Sequence, residues 1–96
     1  MRLFLVALLM VVVIQPPQPV VITVEGFACK TPEHWVEYAR AIAESDNNTI
    51  RNIRLSQRCV PAFLGEIEVL SDDGDFFLIE ANARRRMYIP KWYTIQ

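Results

Sequence analysis

Two cysteines, Cys29 and Cys59, are the only ones in this chain of 96 residues, and no other feature restricts its fold as much. The first lies in "ACKTPEHW" (Ala28 to Trp35), immediately before a helix-start signal and close to the single histidine, His34. Three chemistries compete for Cys29. A thiol at a helix N-terminus can be reactive, and a Cys–His pair is a known nucleophile–base arrangement, but nothing marks a third, orienting residue beside His34. For zinc, Cys29, Cys59 and His34 make at most three ligands, without the usual close cysteine pair. Pairing with Cys59 asks for nothing further, so a Cys29–Cys59 disulfide is expected, and with it an exported chain. Closing that loop is worth roughly 3.5–4 kcal/mol on chain-entropy grounds, a large share of a small domain's stability.

The start of the chain agrees with export. Met1-Arg2 supplies one positive charge ahead of an unbroken apolar run, Leu3 to Ile14, the pattern of a secretory signal peptide. As a helix the run spans about 18 Å, well short of the roughly 30 Å hydrocarbon core of a bilayer. "QPPQP" (Gln15 to Pro19) stops its extension. The alternative is an uncleaved anchor, with "QPPQPVVITVEGF" as an extended tether. Gly26-Phe27-Ala28 offers small residues for cleavage, and "GFAC" touches a lipoprotein cleavage box but lacks its aliphatic residue. Residues 1–28 are therefore read as signal peptide or anchor with a Pro-rich segment, and residues 29–96 as one disulfide-stapled domain. The expected location is periplasmic or secreted, or else membrane-attached through the N-terminal segment.

The remaining chain is small enough to need a staple beside its apolar core. Thr31-Pro32-Glu33 predicts a helix from about Pro32 to Glu44: an N-cap, a proline at the first position and an acid at the positive end. "SDNN" (Ser45 to Asn48) breaks it, and a second helix is expected over Thr49 to Leu55. From Cys59 the texture changes. Val60 to Phe63, with Pro61, suits an edge strand, and Glu66 to Val69 alternates as a half-buried strand. "SDDGD" (Ser71 to Asp75) is hairpin-turn chemistry, Phe76 to Ala81 reads as a central strand, and Arg86 to Ile89 and Tyr93 to Ile95 follow. The predicted class is α+β, with two short N-terminal helices followed by a small antiparallel barrel or meander.

"FLGEIEVLSDDGDFFLIEANARRRMYIPKWYTI" (Phe63 to Ile95) resembles the SH3-like small barrel. Gly65-Glu66 is similar to its glycine–acid step, Ile67 and Val69 to its core positions, and Ile89-Pro90 with Tyr93 to its late "iP..Y" stretch. The chain after the apolar run also resembles small exported bacterial proteins of uncharacterised role, with a stapled helical part and such a barrel. In SH3-like peptide binders the late proline and tyrosine line a groove with a tryptophan. Pro90 and Tyr93 match, whereas Phe76 or Phe77 occupies the tryptophan position and the early aromatic segment is absent. The resemblance implies a binding or wall-targeting module.

The residues themselves offer two contact surfaces. Tyr88, Trp92 and Tyr93 cluster around Pro90 and suit either a groove for extended peptides and glycans or a closing core, with Tyr88 and one of the other two expected inside. Arg84, Arg85 and Arg86 sit on a predicted turn and suit a phosphate, an anionic lipid headgroup or an acidic partner, unless they are a solvated turn or Arg86 pairs with Glu66 or Glu68. Asp72, Asp73 and Asp75 with Gly74 lack the spacing and distal glutamate of a calcium loop. With a net charge of −1 there is no basic excess for nucleic acid. No phosphate loop or Ser–His–Asp set is present, so no enzyme, metal or cofactor is expected. The function expected is a noncatalytic binding or assembly module at the bacterial cell envelope, its partner an envelope protein, a peptide or peptidoglycan. The alternatives are a secreted inhibitor or immunity-type protein, and a small thiol-dependent enzyme using Cys29 and His34.

Overall fold

The computed structural model describes residues 18–81 and 84–95. The signal-peptide reading of residues 1–14 lies outside the described residues. Among those described, two helices are flanked by strands on both sides: β1 (Gln18–Ile22), β2 (Gly26–Cys29), α1 (Pro32–Ala43), α2 (Asn47–Leu55), β3 (Cys59–Ala62), β4 (Gly65–Asp73), β5 (Phe76–Ala81), β6 (Arg85–Pro90) and β7 (Thr94–Ile95). A 3₁₀ turn, Lys91–Tyr93, separates β6 from β7. The seven strands form one sheet in the order β3-β2-β6-β5-β4-β1-β7, antiparallel throughout. The expectation of N-terminal helices followed by an SH3-like barrel or meander is thereby corrected. The helices are an insertion in mid-chain, and the segment before them belongs to the sheet.

That segment is extended because it is paired. β1 runs beside β4 from Gln18↔Val69 to Ile22↔Gly65 and beside β7 at Val21↔Ile95. Val20 and Ile22 point inward while Val21 points to solvent. The apolar run Val20 to Ile22 conceals this alternation, which is why the stretch reads as a tether. β2 pairs with β3 on one side and meets β6 at Cys29↔Tyr88 on the other. A cut after Ala28 would therefore fall inside β2 and detach β1 from the sheet.

Local signals set the helices. Thr31 caps α1 by accepting from the His34 N–H at 3.0 Å, with Pro32 at the first position. Asp46 caps α2, accepting from the Thr49 N–H at 3.3 Å and the Thr49 hydroxyl at 2.7 Å. Gly74, at φ 68°, makes the β4–β5 turn.

Cys29 and Cys59 form the disulfide, with Cα atoms 4.0 Å apart. They stand opposite one another in the β2–β3 register. The neighbouring Lys30 N–H donates to the Arg58 carbonyl at 2.8 Å, so Cys29↔Cys59 is a non-hydrogen-bonded pair, the closer of the two antiparallel spacings. The same parity makes Phe27↔Pro61 non-hydrogen-bonded, so position 61 turns its backbone to the free edge of β3. Proline is tolerated there and blunts that edge.

Two cores share the sheet. Ile22, Ala28, Ala62, Phe77, Ile79, Met87, Ile89 and Tyr93 form the larger. Because β3 stands at one end of the strand order and β1 near the other, their joint contribution shows that the sheet is curled around this cluster. Cys29, Cys59, Tyr38 and Ile53 form the smaller, between sheet and helices, and Trp35 packs on both.

Candidate binding surface

Trp35 of α1 is the hub of an aromatic group. It stacks on Phe27 at 5.0 Å and meets Phe76, Tyr93 and Trp92 edge-on at 5.7, 6.2 and 6.4 Å. Its indole N–H donates to the Phe27 carbonyl at 3.1 Å, which satisfies the one polar atom of the ring. Phe27 in turn meets Tyr38 at 4.6 Å.

Pro90 ends β6 in extended geometry (φ −69°, ψ 144°), and the chain then tightens into the 3₁₀ turn. Three bonds fix that turn. Lys91 N–H donates to the Asp75 carbonyl at 2.9 Å, Thr94 Oγ1 to the Lys91 carbonyl at 2.8 Å, and Thr23 N–H to the Tyr93 carbonyl at 2.8 Å. The consequence is that Tyr93 turns in and Trp92 turns out. Tyr93 is 2% exposed and its hydroxyl accepts from the Phe27 N–H at 3.2 Å. Trp92 is 66% exposed, yet its ring stands edge-on to Tyr93 at 4.7 Å and 89°. Pro90 is buried and Tyr88 half-buried. The aromatic left for a contact is Trp92.

Tyr88 lies on the helix-facing side of the sheet, opposite Cys29 and Leu78. Its hydroxyl donates to the Asp73 carboxylate, which raises the phenol above its ordinary pKa, with burial and the Glu33 charge adding to the effect. Arg84, Arg85 and Arg86 are exposed. Arg86 stands opposite Glu80, not Glu66 or Glu68, because β5 separates β6 from β4. Arg85 Nη2 donates to Gln57 Oε1 at 2.7 Å. The arginines and Trp92 are not brought together.

The disulfide leaves Cys29, at 0% exposure, with no thiol for nucleophilic attack, lipidation or metal binding, so the Cys29–His34 site is removed. The His34 Nδ1 is buried and has no hydrogen-bond partner among the described residues. No group of three metal-ligating side chains occurs among those residues. At the seam between β3 and β4 lies a cavity of about 300 Å³ lined by Ala62, Phe63, Leu64 and Ile67, with the Phe63 and Leu64 side chains exposed at its rim. The sequence gives no sign of this seam, because its walls are completed by Ile22, Ala28 and Ile79, from strands remote from the Ala62–Ile67 stretch in the chain. It also hides the partnership of Phe27 and Trp35, since Phe27 falls in the stretch that reads as a tether.

The fold and site define a disulfide-stapled α+β domain that displays one tryptophan on an aromatic base. Its disulfide indicates an oxidising compartment, and among the described residues no helix is long and apolar enough to cross a membrane. Neither family models, curated proteins nor solved structures match this chain.

Proposed function

We propose that this chain is a noncatalytic binding module of the cell envelope, with Trp92 as its central contact. The observation that carries the reading is the contrast between exposure and fixity at Trp92. A large ring left two-thirds in water normally costs rotamer freedom when it binds. Here Tyr93 and Trp35 already hold it at 4.7 and 6.4 Å, and Pro90 and three backbone-directed bonds hold the turn beneath it. A rigid, exposed tryptophan is the usual anchor of a contact surface, for a glycan ring or for an extended peptide.

The test is co-sedimentation with purified peptidoglycan, comparing the native chain with Trp92→Ala. The reading expects retention of the native chain and loss of most of it in the variant, both having the same circular dichroism. Equal retention of the two would remove Trp92 from the contact. If neither sediments and a stoichiometric protein complex sensitive to Trp92→Ala is isolated, the inhibitor-type alternative takes its place.

A further inference from the structure

Lys30, Arg58 and the arginine turn, Arg84 to Arg86, lie at the end of the sheet away from Trp92, whereas Arg40 and Lys91 stand apart in ion pairs of their own. Arg85 opens β6 and Pro90 closes it, a run of about 17 Å at roughly 3.4 Å per residue. Two contacts bring further cations to the arginine turn. The Arg85–Gln57 bond ties it to the exit of α2. The Lys30–Arg58 backbone bond extends the β2–β3 ladder one pair past the disulfide. Strand alternation from the interior Ala28 and Met87 then puts Lys30 and Arg85 on one face at this rim.

On the neighbouring helix, Arg51 and Arg54 flank Leu55 in a shallow concavity of about 380 Å³. Among the described residues none of these cations has an acidic partner, the three ion pairs being Arg40 with Glu44, Arg40 with Asp46 and Lys91 with Asp72. Glu80 faces Arg86 in register without forming one. The aspartates 72, 73 and 75 lie at the opposite end of β5, whereas Glu66, Glu68 and Glu80 lie toward the arginine end, so the charges of a chain of net charge −1 are only partly separated.

Leu55, 76% exposed, is the most exposed large apolar side chain among the described residues, and it sits within this basic end. A free anion in water has no use for a leucine among arginines. A phospholipid surface uses both: guanidinium groups meet headgroup phosphates and the leucine enters the acyl boundary. We propose that this end docks on an anionic phospholipid surface, leaving Trp92 directed away from it.

Sedimentation of the full chain with phosphatidylcholine vesicles and with vesicles containing phosphatidylglycerol tests this. The apolar run at residues 3–14 contributes to both vesicle types alike, so the difference between them is the readout. Each cation near such a surface is worth about fivefold in partitioning. Arg84→Gln/Arg85→Gln/Arg86→Gln is therefore expected to lose about a hundredfold of the phosphatidylglycerol-dependent binding. Leu55→Ser, at a position too exposed to unfold the chain, is expected to lose severalfold. Equal binding to both vesicle types, or either variant behaving as the native chain, overturns the proposal. So does release by inorganic phosphate at matched ionic strength, or tighter binding to a DNA duplex that ignores Leu55→Ser.

Discussion

Gly26→Ala is the smallest change that should disturb both the fold and the Trp92 surface. Gly26 opens β2, and its φ is one that any residue adopts, so the cost of a side chain there is purely steric. A Cβ on Gly26 would overlap the hydroxyl and ring carbons of Tyr93. That ring cannot retreat easily: it is 2% exposed, lies in the main core, and is pinned by Phe27 N–H on its hydroxyl. Overpacking a filled core costs about 1–3 kcal/mol, and losing the buried bond to Phe27 adds about 1 kcal/mol. The sum predicts a loss of about 3 kcal/mol in urea unfolding followed by circular dichroism. Tyr93→Leu, which withdraws the ring, should make the double variant less destabilised than the sum of the single ones. Because Tyr93 also backs Trp92, the native-state tryptophan emission should shift in Gly26→Ala. A loss under about 0.5 kcal/mol, with emission unchanged, would refute the close approach of Tyr93 to β2.

Further predictions concern the staple and two titrating groups. Cys59→Ser, or reduction of the native protein, should cost roughly 3.5–4 kcal/mol in the same unfolding assay. Asp46 has its pKa held below the ordinary 3.8, first by the Thr49 hydroxyl and then by the Thr49 N–H. A depressed carboxylate stabilises the fold above its unfolded pKa and loses that contribution as pH falls through the folded value. Asp46→Asn should therefore flatten the acid limb of the stability profile below about pH 4. Tyr88 is shifted the opposite way, chiefly by Asp73, so its contribution is complete below the unfolded pKa and is lost as pH rises through the folded one. Asp73→Asn should bring the phenol's ultraviolet titration to lower pH.

The legible parts of this fold are those governed by neighbours in sequence. Thr31 and Pro32 start α1, the "SDNN" stretch supplies the Asp46 cap, and Gly74 makes the hairpin, each through contacts a few residues away. The cysteine pairing was legible because the chain holds two cysteines and no competing ligand set. β1 and β2 were not legible, since their partners are β4, β6 and β7, far along the chain. Short strands with apolar residues at consecutive positions carry no internal mark of which sheet they join.

The surface follows the same division. Tyr88, Pro90, Trp92 and Tyr93 could be singled out as a cluster, but which ring faces water depends on bonds from Thr23 and Phe27, the latter 66 residues from Tyr93. The arginine turn was visible as a run of three. Its enlargement by Lys30, Arg54 and Arg58 was not, because those cations are scattered until the β2–β3 ladder and the Gln57–Arg85 bond assemble them.

The staple underlies every part of this account: it joins β2 to β3, anchors the helical insertion and removes the thiol. The most direct test is the intact mass of the protein recovered from its native compartment, alkylated with and without prior reduction. Two alkyl groups are expected after reduction and none before, on a chain that retains the Gln18–Cys29 region. Alkylation without reduction, or a mature chain beginning after Ala28, would contradict that expectation.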